Sequence, residues 1–164
     1  MEIRQIRKEE CEEFKQLIES VIKNLPEKEW LIAPTNEQIA DAFNTDKVVY
    51  WGLFEKGKLL SISSLSFDKE DFLEVVRLLQ IENDKVAEIA ECMTLVEARG
   101  NNYTLKINKE LVNVAKEMGV KYLIATAHPD NIASKVSLKK LGMSEKGQFY
   151  RYETYLRNYF VMKI

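Results

Sequence analysis

Apolar positions change their period several times along the chain, and each change marks a new element. "EIRQI" (2–6) alternates and predicts a short strand. Phe14, Leu17, Ile18, Val21, Ile22 and Leu25 then recur at helical spacing, predicting an amphipathic helix over 8–24 that stops before Pro26. "TNEQ" (35–38) fits a capping box, with Thr35 as cap and Gln38 reaching back, and opens a short helix to about Asn44. "KVVYWGLFEKGKLLSISSLSF" (47–67) predicts two strands joined at Glu55-Lys56-Gly57-Lys58 as a hairpin. Phe72, Val75, Val76 and Leu79 return to helical spacing over 69–80.

"KVAEIAECMTLV" (85–96) predicts the next strand. Ile107, Leu111, Val114, Ala115 and Met118 define the buried face of a helix, with Gly119 where a C-terminal glycine belongs. "KYLIATA" (121–127) is apolar nearly throughout, as in strands covered on both faces. "HPDN" (128–131) is a turn from which Asp130 is placed to cap a helix over about 131–141, ending at Gly142. Residues 147–164 supply one or two final strands. The order β-α-α-β-β-α-β-α-β-α-β-β describes a mixed α/β protein, its sheet flanked by helices on both faces. The β-α-β unit at 85–127 requires a parallel pair with a right-handed crossover.

The 164 residues suit one domain over 1–164, and no repeat, linker or low-complexity tract divides them. Lys plus Arg is 24 against 26 Asp plus Glu, a balance that argues against a general nucleic-acid binder. Cys11 and Cys92 match no metal or disulfide spacing, which favours a reducing, cytoplasmic setting and no metal. "MEIRQIRKEE" lacks the apolar core of a signal peptide, and no apolar run approaches membrane-spanning length.

The stretch with the most chemical content is "ARGNNYTLKINKELVNVAKEMG" (98–119), in which a turn-forming cluster runs straight into a helix. A helix start offers unpaired N–H groups and a partial positive charge, so it reads either as a plain loop or as an anion site. Arg99-Gly100-Asn101-Asn102-Tyr103-Thr104 follows a strand and opens that helix; Asn131, Ser134 and Lys140-Leu141-Gly142-Met143 follow downstream. In order and spacing these resemble the GNAT superfamily of acyl-CoA N-acyltransferases, and the resemblance covers nearly the whole chain. It implies the GNAT fold, a central mixed, twisted sheet of six to seven strands.

The resemblance also implies a function, acetyl-CoA-dependent transfer of an acetyl group to a primary amine of a small molecule or peptide. The partners it implies are the coenzyme A thioester and that amine, with no nucleic acid or membrane, and a homodimer stays open. Backbone around Arg99, Gly100, Asn101, Asn102, Tyr103, Thr104 and Leu105 would wrap the coenzyme pyrophosphate. The family prefers glycine where this chain has Asn102 and Thr104. Asn tolerates the left-handed region better than other side chains, and Thr adds a hydroxyl donor. Cys92, Met93 and Thr94 would bond the pantetheine arm through their backbone, one N–H also polarising the thioester carbonyl. Asn131 would touch the cofactor from the start of the following helix, with Ser134 one turn on.

An amine must lose a proton before it attacks a thioester. Glu88 and Glu91 are both candidates for the base, against a reading as exposed carboxylates on a half-buried strand. His128, the only histidine, ends a buried strand and is either a proton shuttle or a turn residue beside Pro129. Where the family places a tyrosine that protonates the leaving thiolate, this chain has Leu138. Tyr103, Tyr150 and Tyr152 are alternative donors, and a binding module that holds acyl-CoA without turnover is the rival function. Trp30 falls in the loop the family uses around acceptors, while Trp51 reads as core. The helix over 69–80 is either scaffold on the sheet or one wall of an acceptor cleft.

Overall fold

The computed structural model describes all residues, 1–164. Seven strands form one sheet: β1 (Glu2–Gln5), β2 (Val48–Glu55), β3 (Lys58–Ser66), β4 (Val86–Thr94), β5 (Tyr122–Ala127), β6 (Ser144–Arg151) and β7 (Tyr155–Lys163). Five helices accompany them: α1 (Cys11–Lys23), α2 (Asn36–Ala42), α3 (Lys69–Leu79), α4 (Tyr103–Glu117) and α5 (Ile132–Leu141). The sheet order is β1-β2-β3-β4-β5-β7-β6, antiparallel everywhere except β4–β5.

Local chemistry sets these boundaries. Lys56 and Gly57 both take positive φ, the type I′ geometry that lets a two-residue turn join β2 to β3. The Thr35–Gln38 capping box forms at α2. Gly119 (φ +79°) and Gly142 (φ +106°) close α4 and α5 in the left-handed region that glycine enters without strain. Some details depart from the sequence reading. The first helix opens with a 3₁₀ turn, Lys8–Glu10, anchored by Arg4 bonded to Glu10 at 2.7 Å and 2.8 Å. The cap of α5 is Asn131 rather than Asp130, with its Oδ1 accepting from the Ser134 N–H. Met118, read as part of the buried face, is 56% exposed and is the residue that caps α4 rather than one of its helical positions.

Side chains alternate across β4 and β5, and so divide the core in two. Ala87, Ile89, Leu123 and Ala125 join the larger cluster, which holds Phe14, Leu17 and Leu111 from α1 and α4. Val86 and Ile124 face the other way and pack against Phe72, Val75 and Val76 of α3, with Phe149. The apolar stripe of α3 is therefore scaffold on the second face.

β4 and β5 pair only from Val86–Tyr122 to Glu88–Ile124. Beyond that rung β4 stays with β3 and β5 with β7, so the two strands diverge. A bulge sits on the diverging part. Ser64 pairs with Ala90 and Ile62 with Met93, leaving Glu91 and Cys92 opposite Ser63, and Glu91 takes φ +50°.

Candidate active site

Two adjoining cavities occupy the gap between β4 and β5, and both are bordered by Trp30, Cys92, Asn131, Ser134 and Leu138. One, of about 420 Å³, lies on the side of α1, α4 and α5. The other, of about 160 Å³, reaches the side of α3 and is lined by Glu88, Glu91, Asp71, Arg151 and Arg157.

The larger cavity gathers every residue assigned above to the cofactor except Leu105. The loop before α4 has the features that could hold an anion. Asn102 holds φ +55° and its side chain caps nothing, and the first turn of α4 carries no acidic residue. Lys106 is the first residue whose N–H finds a carbonyl within the helix, that of Asn102 at 3.1 Å. The preceding helical N–H groups are the ones helix geometry leaves over, at the positive end of the dipole. Gly100 holds φ +83°, and a Cβ built there would meet no atom within 4 Å, so the loop has open space in front of it. Asn101 braces the loop through the Ala98 carbonyl at 3.1 Å, and the Arg99 Nε reaches the Thr94 carbonyl at 3.5 Å. These features fit a pyrophosphate. From Ile89 onward one edge of β4 has no strand partner, so its backbone groups are available to a polar, extended arm.

The two candidate carboxylates part company. Glu88, 2% exposed, is held in a bidentate pair by Arg151 at 2.6 Å and 2.9 Å. The same guanidinium donates to Thr126 Oγ1 at 3.1 Å and to the Asp71 carbonyl at 2.9 Å. Burial works against the Arg151 charge, but the Glu88 carboxylate outweighs it and holds the guanidinium protonated. This clamp ties β4, β5, β6 and α3 together at the last paired rung. Glu91 has no such partner. Its Oε2 is enclosed without a hydrogen bond, and burial pushes its carboxyl up to about 6, with the nearby Tyr50 and Ser64 hydroxyls holding it back in part. The Tyr50 phenol is itself raised, by burial first and the Glu91 charge next, so it remains a donor.

His128 lines neither cavity. Its Nδ1 accepts from the Asp130 N–H at 3.2 Å, and its ring lies against Trp30 with centroids 6.3 Å apart. It is placed as a turn residue. Cys92 packs among Ser63 and Asn108, where burial raises its thiol. Leu138 is 4% exposed and lines both cavities, while Tyr150 is 59% exposed and lines neither. Of the helix α3, only Asp71 in the first turn borders the smaller cavity. Arg151, Arg157, Ser64, Thr126 and Ser137 escaped the sequence reading. The one available signal was "SISSLS" (61–66), whose four serines are all buried on a central strand.

The model for the acetyltransferase (GNAT) domain family matches residues 1–144. The chain belongs to the GNAT acetyltransferase family. Solved structures carry the same fold end to end at low identity. An N-acetyltransferase from Staphylococcus aureus Mu50 superposes with a TM-score of 0.75 at 17% identity, covering 99% of this chain and 97% of that one. The ribosomal-protein-alanine N-acetyltransferase from Brucella melitensis gives 0.75 at 17% identity over 100% of both. An aminoglycoside acetyltransferase in complex with coenzyme A and kanamycin gives 0.74 at 12% identity, over 98% of this chain and 93% of that one. Among curated proteins no relative matches. No helix is long and apolar enough to cross a membrane.

Proposed function

We propose that this GNAT protein transfers the acetyl group of acetyl-CoA to a primary amine of a small molecule or peptide, with the coenzyme in the larger cavity and the amine in the smaller. One observation carries the reading. The gap between β4 and β5 joins an anion-ready loop on one side of the sheet to an unpaired, proton-poised carboxyl on the other.

Arg99, Gly100 and Asn102 shape the phosphate end, and the free edge of β4 near Cys92, Met93 and Thr94 lies along the pantetheine path. The coenzyme supplies an activated acyl carbon. Glu91 takes the proton that the ammonium form of the acceptor must shed, directly or through water, because its affinity for a proton is already matched to near-neutral pH. The amine nitrogen then bonds the acyl carbon, the carbon–sulfur bond breaks, the nitrogen sheds its surplus proton and the sulfur takes one up. Leu138 has none to give. Tyr103 and Ser137 both line the coenzyme cavity, and the Ser137 hydroxyl, buried with no partner, is placed to relay that proton to the sulfur rather than to supply its own. Glu88, bound on both oxygens by Arg151, keeps the cleft in shape.

Calorimetry with acetyl-CoA, followed by thiol release against a panel of amines, tests the reading. Saturable binding and acceptor-dependent thiol release are expected, with release lost in Glu91→Gln while binding persists. Binding without release from any amine would establish the rival, a module that holds acyl-CoA. No binding would remove both.

A further inference from the structure

Arg157 projects from β7 into the smaller cavity and is 3% exposed. It donates to two backbone carbonyls, Leu156 at 2.8 Å and Glu29 at 2.7 Å, and forms no ion pair with any carboxylate. Burial and then the Arg151 charge weigh against its own charge, and Tyr155, whose ring centroid lies 5.5 Å from the guanidinium, and the exposed Glu29 offset this only in part. A guanidinium carries five N–H donors, so donors remain after those two bonds. A buried charge without a counter-ion is costly, and chains retain one where something else supplies the opposite charge. The other arginine of the cavity, Arg151, is already spent on Glu88. A second donor is short of a partner in the same wall: Trp30 Nε1 is enclosed with no hydrogen bond and lies where the two cavities meet. The same cavity offers an acceptor, the unbonded Oε2 of Glu91, and apolar surface from Leu31, Ile32 and Val48.

We infer that the acceptor is an amino acid or amino-acid-like amine that carries its own carboxylate, with its amine toward Glu91 and its carboxylate toward Arg157 and Trp30. This rests on the acetyl-transfer reading above and narrows it. Complementarity sets the direction. A zwitterion brings one charge of each sign to a cavity that holds a free basic group, Arg157, and two carboxyls without an ion pair, Glu91 and, at the far rim, Asp71 bonded by the Tyr152 hydroxyl. A polycation would set positive charge beside an uncompensated guanidinium. A planar carboxylate also matches the fork of an arginine better than any single-point anion does.

The test compares the twenty amino acids with their amides and with the corresponding decarboxylated amines, using the wild-type protein and thiol release. Free amino acids should exceed their amides in kcat/KM by roughly 10- to 100-fold, the range expected for a charged hydrogen-bonded contact. Arg157→Gln should erase that difference, Arg157→Lys should restore part of it, and acetyl-CoA binding by calorimetry should be the same in all three proteins. Equal or better use of the amides, turnover confined to polyamines or kanamycin, or a preference that survives Arg157→Gln would overturn the inference. If Arg157→Gln does not fold, the wild-type comparison still decides. If acetyl-CoA fails to bind, the acetyl-transfer reading falls by itself. Calorimetry of the same amino acids and amides on the wild type then reads the acid subsite, and equal affinities or no binding would sink it.

Discussion

Glu88 and Glu91 stand three positions apart on β4, one at the closed seam of the sheet and the other on the open gap. At the seam, β4 is paired on both edges, and Glu88 is bonded by a guanidinium from β6 that two other elements, β5 and α3, also use. On the gap, β4 is paired on one edge, kinks through a bulge, and presents a carboxyl with an oxygen bonded to nothing. A carboxylate whose charge is fully compensated is structural, because moving its proton would break the compensation. A buried carboxyl left short of partners holds its proton more tightly than an exposed one, which brings its exchange close to neutral pH. The contrast is what favours Glu91 over Glu88 as the proposed base and gives Glu88 the part of a fastener.

The largest effect expected is kinetic. Glu91→Gln should lower kcat/KM by about 10²–10⁴-fold, the usual range for a general base, while calorimetry shows acetyl-CoA affinity unchanged. Next comes the seam. Glu88→Ala should lower stability by roughly 3–5 kcal/mol in chemical denaturation, because it strands the Arg151 charge in the interior. Replacing Arg151 by Met in the same protein should recover much of that loss. If Glu88→Ala leaves stability intact and abolishes turnover, the two roles are reversed.

A smaller effect separates the pair by pH. The Glu91 carboxyl holds its proton up to about 6 in the fold, against a reference value of 4.5. Folding therefore favours the protonated form. Its contribution to stability is whole below pH 4.5 and is lost as pH rises through about 6. Glu91→Gln should raise stability by up to about 2 kcal/mol at pH 8, and by nothing comparable at pH 4, in parallel denaturation curves. In the wild type, kcat/KM should climb through about pH 6 as the same group ionises. The smallest effect lies at the loop. Gly100→Ala should cost about 1 kcal/mol of stability, because Gly100 is in the left-handed region, and it should weaken acetyl-CoA binding by calorimetry.

The sequence carried the loop better than it carried the acid–base pair, for a physical reason. Arg99-Gly100-Asn101-Asn102 is legible because residues that tolerate positive φ, a glycine and two asparagines, stand together directly before a helical period. The strands and helices were legible from their periods, including the Lys56-Gly57 turn. The bulge at Glu91 has no such mark, since a glutamate at φ +50° looks like any other glutamate in a strand. The Glu88–Arg151 clamp joins positions 63 residues apart, a distance over which no local pattern reports. Arg157 sits in a strand whose alternation says only that one face is covered. His128 drew attention by being the sole histidine, yet a turn with Pro129 and Asp130 accounts for its placement.

The short seam also bears on the order in which the chain assembles. β2, β3 and β4 pair with near neighbours in sequence, as do β6 and β7, and such local contacts form early. The union of β4 with β5 waits for the α4 crossover, and its ladder runs only from Val86–Tyr122 to Glu88–Ile124. As the ribosome delivers the chain, the first four strands are out before any partner for the far edge of β4 exists. The cleft is thus absent from either half by itself. It comes into being when the two subsheets dock, and the groove is a by-product of a closure that the fold leaves incomplete.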